Sequence, residues 1–504
     1  MRLAGKFLDK RIYVYDNQIK CEYSELITDL CKYDLLSILR SLSDLGSSIF
    51  KSNAQYVLYY NVPVTDDFLL YCALAAIKHC GNGMPVTPAD LIILLRKAHY
   101  HYDQSVLQAS RNPLQLLLVF AYKGFQYQEK LLNSFARSLY IYKEVWNRVV
   151  HDMTSDQLFM DTLGLRIDIL AAFMLALVGS SESYHYRWTQ AEIDPINQRT
   201  GLGLSTQFEE RFLEWSAATY ERIREYKGSL PNPLVKYPMI DTRQMPVGAS
   251  SEVFLVLSKN ALFFKFSYSL YYDFIEKYSA GGGSNWFKDR FGIAFQEYVG
   301  DLLRYYFNTW DVIPEVEYSK GSSKIRSVDW LLHKGKKLIL LEIKQSSLFL
   351  GTKSTGSLDK FQEDVRKTIM KAVSQLNRTQ EDILSKNSDE LRPFEKATLF
   401  QKICVVADPI YFANMILPDV FSDMNDIHII NISDFEDLLS LQHHKESMFY
   451  VLYQKQQAAG MKAMDFKEFL LAKFGRESGR KRVRFLDEYY RNYFKEVMGH
   501  HIAP

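Results

Sequence analysis

The chain has 504 residues, of which 47% are hydrophobic and 24% charged, and its formal net charge is +2. This composition is that of folded domains, so it excludes a largely disordered chain, and the length allows two or three domains with separate cores. The small net charge does not exclude a nucleic-acid partner, because a basic surface can be local and offset by acid elsewhere. The five cysteines form no C-x-x-C pair, which argues against a zinc knuckle or a disulfide framework and favours reduced thiols in a cytosol.

Charged residues interrupt the N-terminal segment 1–11 before any signal-peptide core forms, and no apolar run approaches the roughly 18 residues of a membrane span. The apolar stretch Ile167–Gly179 is about a dozen residues long, which is typical of a buried helix. We therefore expect no membrane contact and a cytoplasmic location.

The N-terminal part of the chain has apolar residues at three- and four-residue spacing from about 20 to 225, which predicts a mainly helical domain. Near Gly228 the sequence becomes rich in proline and extended, and a glycine run at 281–283 is followed by a helix N-cap at Ser284 or Asn285. Beyond about 440 the pattern is helical again. These changes predict four parts: a helical domain at 1–227, a connector with short strands and a helix at 228–283, a domain at 284–440, and a helical, basic C-terminal tail at 441–504.

The part from 284 to 440 alternates between helical and strand patterns. A helix at 285–307 is followed by strands near 312–318, 327–333 and 337–344, a helix at about 358–378, and short buried strands at 402–407 and 427–432. The predicted order is therefore α-β-β-β-α-β, with further helix at the C-terminal end.

The hairpin between the second and third of these strands places charged residues together. Gly335 and Lys336 fit a two-residue turn that requires a positive φ at its first position. This turn makes Asp329 face Glu342, with Cβ atoms roughly 4.5–5.5 Å apart. Because side chains alternate along a strand, Glu342 and Lys344 point to the same face of the sheet.

Two carboxylates that face each other repel, so the pair requires compensation. A hard divalent cation provides it best, since Mg²⁺ binds carboxylate oxygens and completes its shell with water and substrate phosphate. Such a cation with a lysine beside it is suited to phosphodiester hydrolysis. The alternative is a solvated strand end at which Lys344 is an ordinary ion-pair partner of the acids.

The segment from Asp329 to Lys344 resembles the signature of the PD-(D/E)XK, or restriction-endonuclease-like, nuclease superfamily, with Val328 in place of the proline. The resemblance covers roughly residues 284–435 and implies a multidomain α + α/β protein, in which a helical N-terminal domain precedes a restriction-endonuclease-like αβββαβ core and a helical tail. It also implies site residues and a cofactor. The catalytic residues would be Asp329, Glu342, Lys344, Glu297 and Gln375; the metal, Mg²⁺ or Mn²⁺ in its place, would be bound by Asp329, Glu342, Glu297 and the main-chain carbonyl of Ile343.

Two groups of basic residues are candidates for nucleic-acid contact. Lys360, Lys367, Lys371 and Arg378 form one stripe along the predicted 358–378 helix, and the C-terminal run contains Arg480, Lys481, Arg482 and Arg484. Either group could follow a phosphate backbone, and either could equally be a solvated helix face or helix end.

The leading hypothesis is a metal-dependent nuclease that acts on nucleic acid, with DNA favoured. By its resemblance to superfamily members with large N-terminal domains, it would act in prokaryotic defence against foreign DNA, including antiviral defence. The N-terminal helical domain would supply targeting, control, homo-oligomerisation or binding of a protein partner. Two alternatives remain open: a nucleic-acid-binding or scaffold protein with a catalytically silent nuclease fold, and an RNA-directed nuclease on the same core.

Overall fold

The computed structural model describes fifteen stretches of the chain. They are residues 18–52, 56–108, 131–180, 182–227, 232–243, 253–279, 285–345, 358–386, 388–411, 413–420, 424, 426–441, 447–458, 460–475 and 483–498. The glycine run at 281–283 and the basic residues Arg480, Lys481 and Arg482 lie outside the described residues.

The fold is mixed helix and sheet, with several small sheets. From residue 18 to 227 it is mainly helical. The helices of this part are α1 Tyr23–Leu30, α2 Leu35–Ser52, α3 Asp66–His79, α4 Pro88–Gln108, α5 Leu131–Leu139, α6 Trp146–Val149, α7 Ser155–Leu163, α8 Ile167–Gly179, α9 Gln190–Thr200, α10 Thr206–Ser216 and α11 Tyr220–Arg224. A π-helix, Tyr140–Val145, joins α5 to α6.

Short strands accompany these helices and continue into the next part of the chain. They are β1 Val57–Tyr59, β2 Val62–Val64, β3 Tyr184–Tyr186, β4 Ala217–Thr219, β5 Met239–Asp241 and β6 Val253–Val256. β1 and β2 form a hairpin, and the other four form a sheet in the order β3-β6-β5-β4. Helix α12 Lys259–Phe264, a second π-helix Lys265–Ser269 and helix α13 Leu270–Tyr278 follow this sheet.

The C-terminal half contains the larger sheet and its flanking helices. They are helix α14 Trp286–Tyr306, strands β7 Asp311–Pro314, β8 Glu317–Lys320, β9 Ser323–Arg326, β10 Trp330–Lys334 and β11 Lys337–Lys344, helix α15 Leu358–Ser385, strand β12 Leu399–Val406, helix α16 Ala413–Val420, strand β13 Ile427–Asn431, and helices α17 Ile432–Ser440, α18 Met448–Gln457, α19 Phe466–Phe474 and α20 Arg484–Met498. Helix α14 begins after Asn285, whose side chain accepts a hydrogen bond from the Lys288 N–H.

Five strands form a mixed sheet in the order β13-β12-β11-β10-β7. Strands β7, β10 and β11 are antiparallel neighbours, whereas β11, β12 and β13 are parallel. The carboxyl ends of the three parallel strands therefore lie at one edge, where β10 begins.

Helices cover both faces of this sheet. On one face, the side chains of Leu332, Ile339 and Leu341 belong to the same core as the buried residues of α14. On the other face, Leu331, Leu338 and Leu340 pack with α15, whose buried residues include Phe361, Val365, Ile369, Ala372 and Leu376. The sequence predicted both of these helices, and the structure confirms them.

The strand prediction needs one correction. The run at 312–318 was expected to form a single strand, but the structure has two: β7 pairs with β10 in the large sheet, and β8 pairs with β9 in a separate hairpin. Pro314, which has no N–H to donate, ends β7. The helix predicted to end near 378 continues to Ser385.

Helix α20, within the predicted tail, contributes to the largest core. Its residues Leu486, Tyr493 and Val497 are buried in that core, and the rings of Tyr490 and Phe135 of α5 lie 6.3 Å apart. The same core also includes residues of α5, α8 and α14. This end of the chain therefore packs against the helices of the N-terminal half.

The described part of the chain has no single helix that passes the length and hydropathy criteria for a membrane span. One bent pair, Ser155–Leu163 with Ile167–Gly179 at 65°, meets those criteria when the two helices are taken together.

Candidate functional site

The β10–β11 hairpin has the register that its turn predicted. Trp330 pairs with Leu341 and Lys334 with Lys337, and Gly335 has a φ of 63°. Asp329 is the residue immediately before β10, so continuing the same register places it opposite Glu342. The hairpin register predicted from the turn is therefore confirmed for β10 and β11.

The three charged residues of the hairpin contact one another. Lys344 Nζ lies 2.6 Å from Glu342 Oε1. The Ile343 N–H donates to Asp329 Oδ2 at 2.6 Å, and the Asp329 N–H donates to Glu342 Oε2 at 3.4 Å. We call Asp329, Glu342 and Lys344 the acid–lysine cluster. It lies at the sheet edge where the parallel strands end.

The surroundings of this cluster favour the uncharged forms of its acids. Only 1% of Glu342 is exposed, and Asp329 is partly buried. Burial raises the pKa of Asp329 to about 6, and burial together with the charge of Asp329 raises the pKa of Glu342 to about 8. Burial lowers the pKa of Lys344, but the hydrogen bond to Glu342 and the negative charges of Glu342 and Asp329 together outweigh burial, so the pKa of Lys344 is raised. Burial thus favours a proton on the acid pair, whereas the acids favour the ammonium form of Lys344.

Helix α15 holds the segment that leads to Asp329. Gln375 Nε2 donates to the Ser327 carbonyl at 2.7 Å, and Arg378 Nη2 donates to the Arg326 carbonyl at 2.9 Å. The Ser327 hydroxyl accepts from the Val316 N–H at 2.8 Å. Gln375 thus lies beside the site, and its hydrogen bond to the Ser327 carbonyl positions the main chain two residues before Asp329.

Glu297, the remaining predicted metal ligand, lies on α14 and has arginine partners. Its Oε1 is 2.9 Å from Arg304 Nη1 and 3.7 Å from Arg148 Nη2. Helix α14 packs on the sheet face opposite to Glu342 and Lys344. Within the described residues, no contact joins Glu297 to Asp329 or Glu342, and its role in metal binding stays a prediction.

The oxygen donors at the cluster suit a hard cation such as Mg²⁺. Asp329 and Glu342 supply two carboxylates on adjoining strands, and the resemblance adds the main-chain carbonyl of Ile343. The described part of the chain contains no group of three or more histidine, cysteine, aspartate or glutamate residues arranged to hold a metal. An ion held by Asp329 and Glu342 would therefore take most of its coordination from water and phosphate.

The basic residues of α15 differ in their surroundings. Lys360, Lys367 and Lys371 are exposed, with the Lys367 ammonium 2.6 Å from the Glu363 carboxylate. Arg378 is partly buried against Arg326. In the C-terminal run, Arg484 pairs with Glu488 at 2.6 Å. Among the described members of these groups, Lys360, Lys367, Lys371 and Arg484 are exposed, and contact of any of them with nucleic acid stays a prediction.

Sequence reasoning missed Gln345, the residue that follows Lys344. Its side chain lies against Gly292 of α14, where an added Cβ would come within 3.0 Å of Gln345 Nε2. The available signal was its position: strand alternation points Gln345 away from Lys344, toward the α14 face.

No protein-family model, no curated protein and no solved structure matches this chain. The resemblance to the PD-(D/E)XK superfamily therefore rests on the signature residues and the element order.

Proposed function

We propose that the protein is a metal-dependent nuclease that hydrolyses phosphodiester bonds of nucleic acid, with DNA favoured, on a restriction-endonuclease-like core. The observation that supports this most strongly is the acid–lysine cluster, in which two buried carboxylates face each other at the edge of a mixed sheet. The order α14, β7, β10, β11, α15, β12 further supports the likeness to that superfamily.

Asp329 and Glu342 would hold the cation, which when bound supplies Lewis acidity toward the scissile phosphate and a more acidic water. The Lys344 ammonium, positioned by Glu342, would offset negative charge that develops on the phosphate or orient the attacking water. The hydrogen bond from Ile343 leaves Asp329 Oδ1 as the oxygen best placed to bind the ion. Gln375 and Arg378 would keep Asp329 in place through the main chain at 326–327.

The raised pKa values of the two acids bear on this role. A site that keeps a proton when empty exchanges that proton for the cation, so cation binding should become stronger as the pH rises. The cost of ionising both acids is then offset by the ion that they bind. An ion-pair role alone would have been met by one carboxylate and Lys344.

Within the described residues, no group of three or more histidine, cysteine, aspartate or glutamate residues is arranged to hold a metal, and this favours a second candidate, a nucleic-acid-binding protein with a silent nuclease fold. On that alternative, the site binds a phosphate backbone without cleaving it. The two candidates make opposite predictions for cleavage and the same prediction for binding.

The deciding experiment incubates the purified full-length protein with end-labelled duplex DNA, single-stranded DNA and RNA of one sequence. Each substrate is tested with Mg²⁺, with Mn²⁺ and with EDTA. We expect cleavage of at least the duplex DNA with either metal and none with EDTA. Cleavage confined to RNA would assign the RNA-directed alternative, and binding without cleavage of any substrate would assign the silent one.

A further inference from the structure

A second site lies at the same sheet edge as the acid–lysine cluster. A pocket is lined by the residues that follow three parallel strands: Gln345 after β11, Ala407 and Asp408 after β12, and Ile432 after β13. Ligands of sheets with parallel strands are commonly bound outside the carboxyl ends of those strands. Nothing in the role proposed for the cluster uses this pocket.

Aromatic rings form the walls of the pocket. They come from α14 and from the stretch of the second π-helix and α13, and are Tyr268, Tyr271, Tyr272, Phe291 and Phe295. The rings of Tyr271 and Phe291 lie 4.9 Å apart, and Tyr272 is 38% exposed. A flat ligand could therefore stack on a rigid aromatic surface with Tyr272 at the solvent side.

Two hydrogen-bond acceptors line the pocket beside the ends of β11 and β12, the side-chain oxygen of Gln345 and the Asp408 carboxylate. Gln345 Oε1 is buried and has no hydrogen-bond partner among the described residues. Asp408 lies near the Tyr272 hydroxyl, with Oδ2 3.4 Å from it. A buried acceptor without a donor costs roughly 1–3 kcal/mol, so an N–H group of a ligand at Gln345 would relieve that cost.

We propose that this pocket holds one unstacked nucleobase of the strand whose phosphodiester lies at the acid–lysine cluster. The inference rests on the proposed nuclease function. Aromatic walls take the flat faces of the base, while Gln345 and Asp408 accept from N–H groups on its edge. Because Lys344 and Gln345 are consecutive and point to opposite faces of the sheet, the phosphate and base subsites adjoin at one strand end.

The test measures binding of single-stranded oligonucleotides in which one base at a time is removed to leave an abasic site. Fluorescence anisotropy is measured with the full chain carrying Asp329→Asn, so that cleavage does not consume the probe. We expect one abasic position to weaken binding by about 5- to 100-fold, the range for loss of one base–aromatic stack, and the other positions to have little effect.

Tyr272→Ala identifies the pocket as the source of that effect. It should weaken binding of the intact strand by about 5- to 100-fold. In the Tyr272→Ala protein, the intact strand and the strand with the sensitive abasic position should then bind equally, because both changes remove the same stack. Tyr272→Phe should retain most of the affinity. Tyr453→Ala is the matched control, since Tyr453 is a helical tyrosine of similar exposure (45%) on α18, outside the pocket.

The outcomes separate this proposal from the proposed function. A flat abasic profile, or equal effects of Tyr272→Ala and Tyr453→Ala, overturns the pocket assignment even when the wild-type protein cleaves. A sensitive position that Tyr272→Ala abolishes supports the pocket, whether or not the wild type cleaves. If free nucleoside monophosphates compete while the abasic profile is flat, the pocket binds a free nucleotide and the assignment to the strand is overturned.

Discussion

Two buried glutamates on this molecule have similar exposure and contrasting surroundings. Glu342 in β11 and Glu436 in α17 are each 1% exposed. Glu436 receives hydrogen bonds to both carboxylate oxygens from Arg137, at 2.8 and 3.3 Å, and a third from the Tyr298 hydroxyl at 2.6 Å. Glu342 has one short contact, from Lys344 at 2.6 Å, and faces a second carboxylate.

The comparison separates a structural carboxylate from a candidate catalytic one. Burial raises the pKa of both glutamates, and at Glu436 the charge of Arg137 and the Tyr298 hydrogen bond oppose that rise. At Glu342 the nearby Asp329 adds to the rise. A charge that is fully paired fixes the packing of three helices, whereas an incompletely compensated pair of acids retains the capacity to bind a cation.

The largest expected effect is on the cleavage rate, when one of the two facing acids of the acid–lysine cluster is replaced. Asp329→Asn and Glu342→Gln should each lower Mg²⁺-dependent cleavage by at least about 10³-fold, the upper range for loss of one charge-stabilising group. Alanine at either position should also abolish cleavage, but Asp329→Ala additionally leaves the Ile343 N–H without its acceptor. The amide variants are therefore the cleaner test, measured as single-turnover cleavage rates.

Glu317→Gln is the control for this prediction, since Glu317 is an exposed acid of β8. It should cleave at the wild-type rate. Wild-type rates in both Asp329→Asn and Glu342→Gln would show that the cluster has no catalytic role and would remove the nuclease proposal.

Loss of the arginine partner of Glu436 should lower the stability of the fold. Arg137→Met leaves Glu436 buried without its cation and should lower the free energy of unfolding by about 3–5 kcal/mol, read from urea titration. Added Mg²⁺ should not restore it. The double variant Arg137→Met/Glu436→Leu should recover much of the loss, because it removes both charges. An unchanged free energy of unfolding in Arg137→Met would show that the Arg137–Glu436 pair does not stabilise the fold.

The sequence predicted the parts of the site that depend on local chemistry. A glycine at a turn determined which residues of β10 and β11 face each other, and period-two alternation assigned Glu342 and Lys344 to one face. The helical patterns at 285–307 and about 358–378 predicted α14 and α15. Each of these features is set by residues close together in the chain.

Features that depend on distant segments were beyond the sequence. Glu297 has a partner in Arg148, which is contributed by another helix. The pocket at Gln345 requires residues from 137 to 432 to meet. The separate β8–β9 hairpin was missed although Pro314 marks the end of β7 within the run at 312–318, because the strand with which each half pairs is not visible in the run itself.

Replacing Lys344 tests whether its ammonium takes part in catalysis or only forms an ion pair with Glu342. Lys344→Ala should reduce the single-turnover cleavage rate by at least about 10²-fold while metal binding largely remains. Lys402→Ala is a useful control, since Lys402 also pairs with an acid, Asp426, but lies on β12 away from the cluster. If the two variants lose the same small factor in rate, Lys344 has only a structural role.

The smallest expected effect is a pH-dependent stability difference in metal-free protein. An acid whose pKa is higher in the folded state stabilises the fold at low pH, and this contribution is lost as the pH rises through the folded pKa. For Asp329 and Glu342 the loss extends from about pH 4 to about pH 8, the upper end being the pKa of Glu342. Wild-type stability should therefore decrease over this range relative to Glu342→Gln, which resembles the protonated acid.

Urea unfolding in EDTA at pH 5 and pH 9 measures that difference. The two proteins should have similar free energies of unfolding at pH 5, and Glu342→Gln should be the more stable of the two at pH 9. Glu317→Gln should show no such pH dependence. Adding Mg²⁺ at pH 9 should close the gap by stabilising the wild type, because the cation binds the two ionised carboxylates and the amide variant lacks one of them. A gap that is independent of both pH and Mg²⁺ would mean that the two acids share no proton and bind no cation, and Glu342 would then be a structural carboxylate like Glu436.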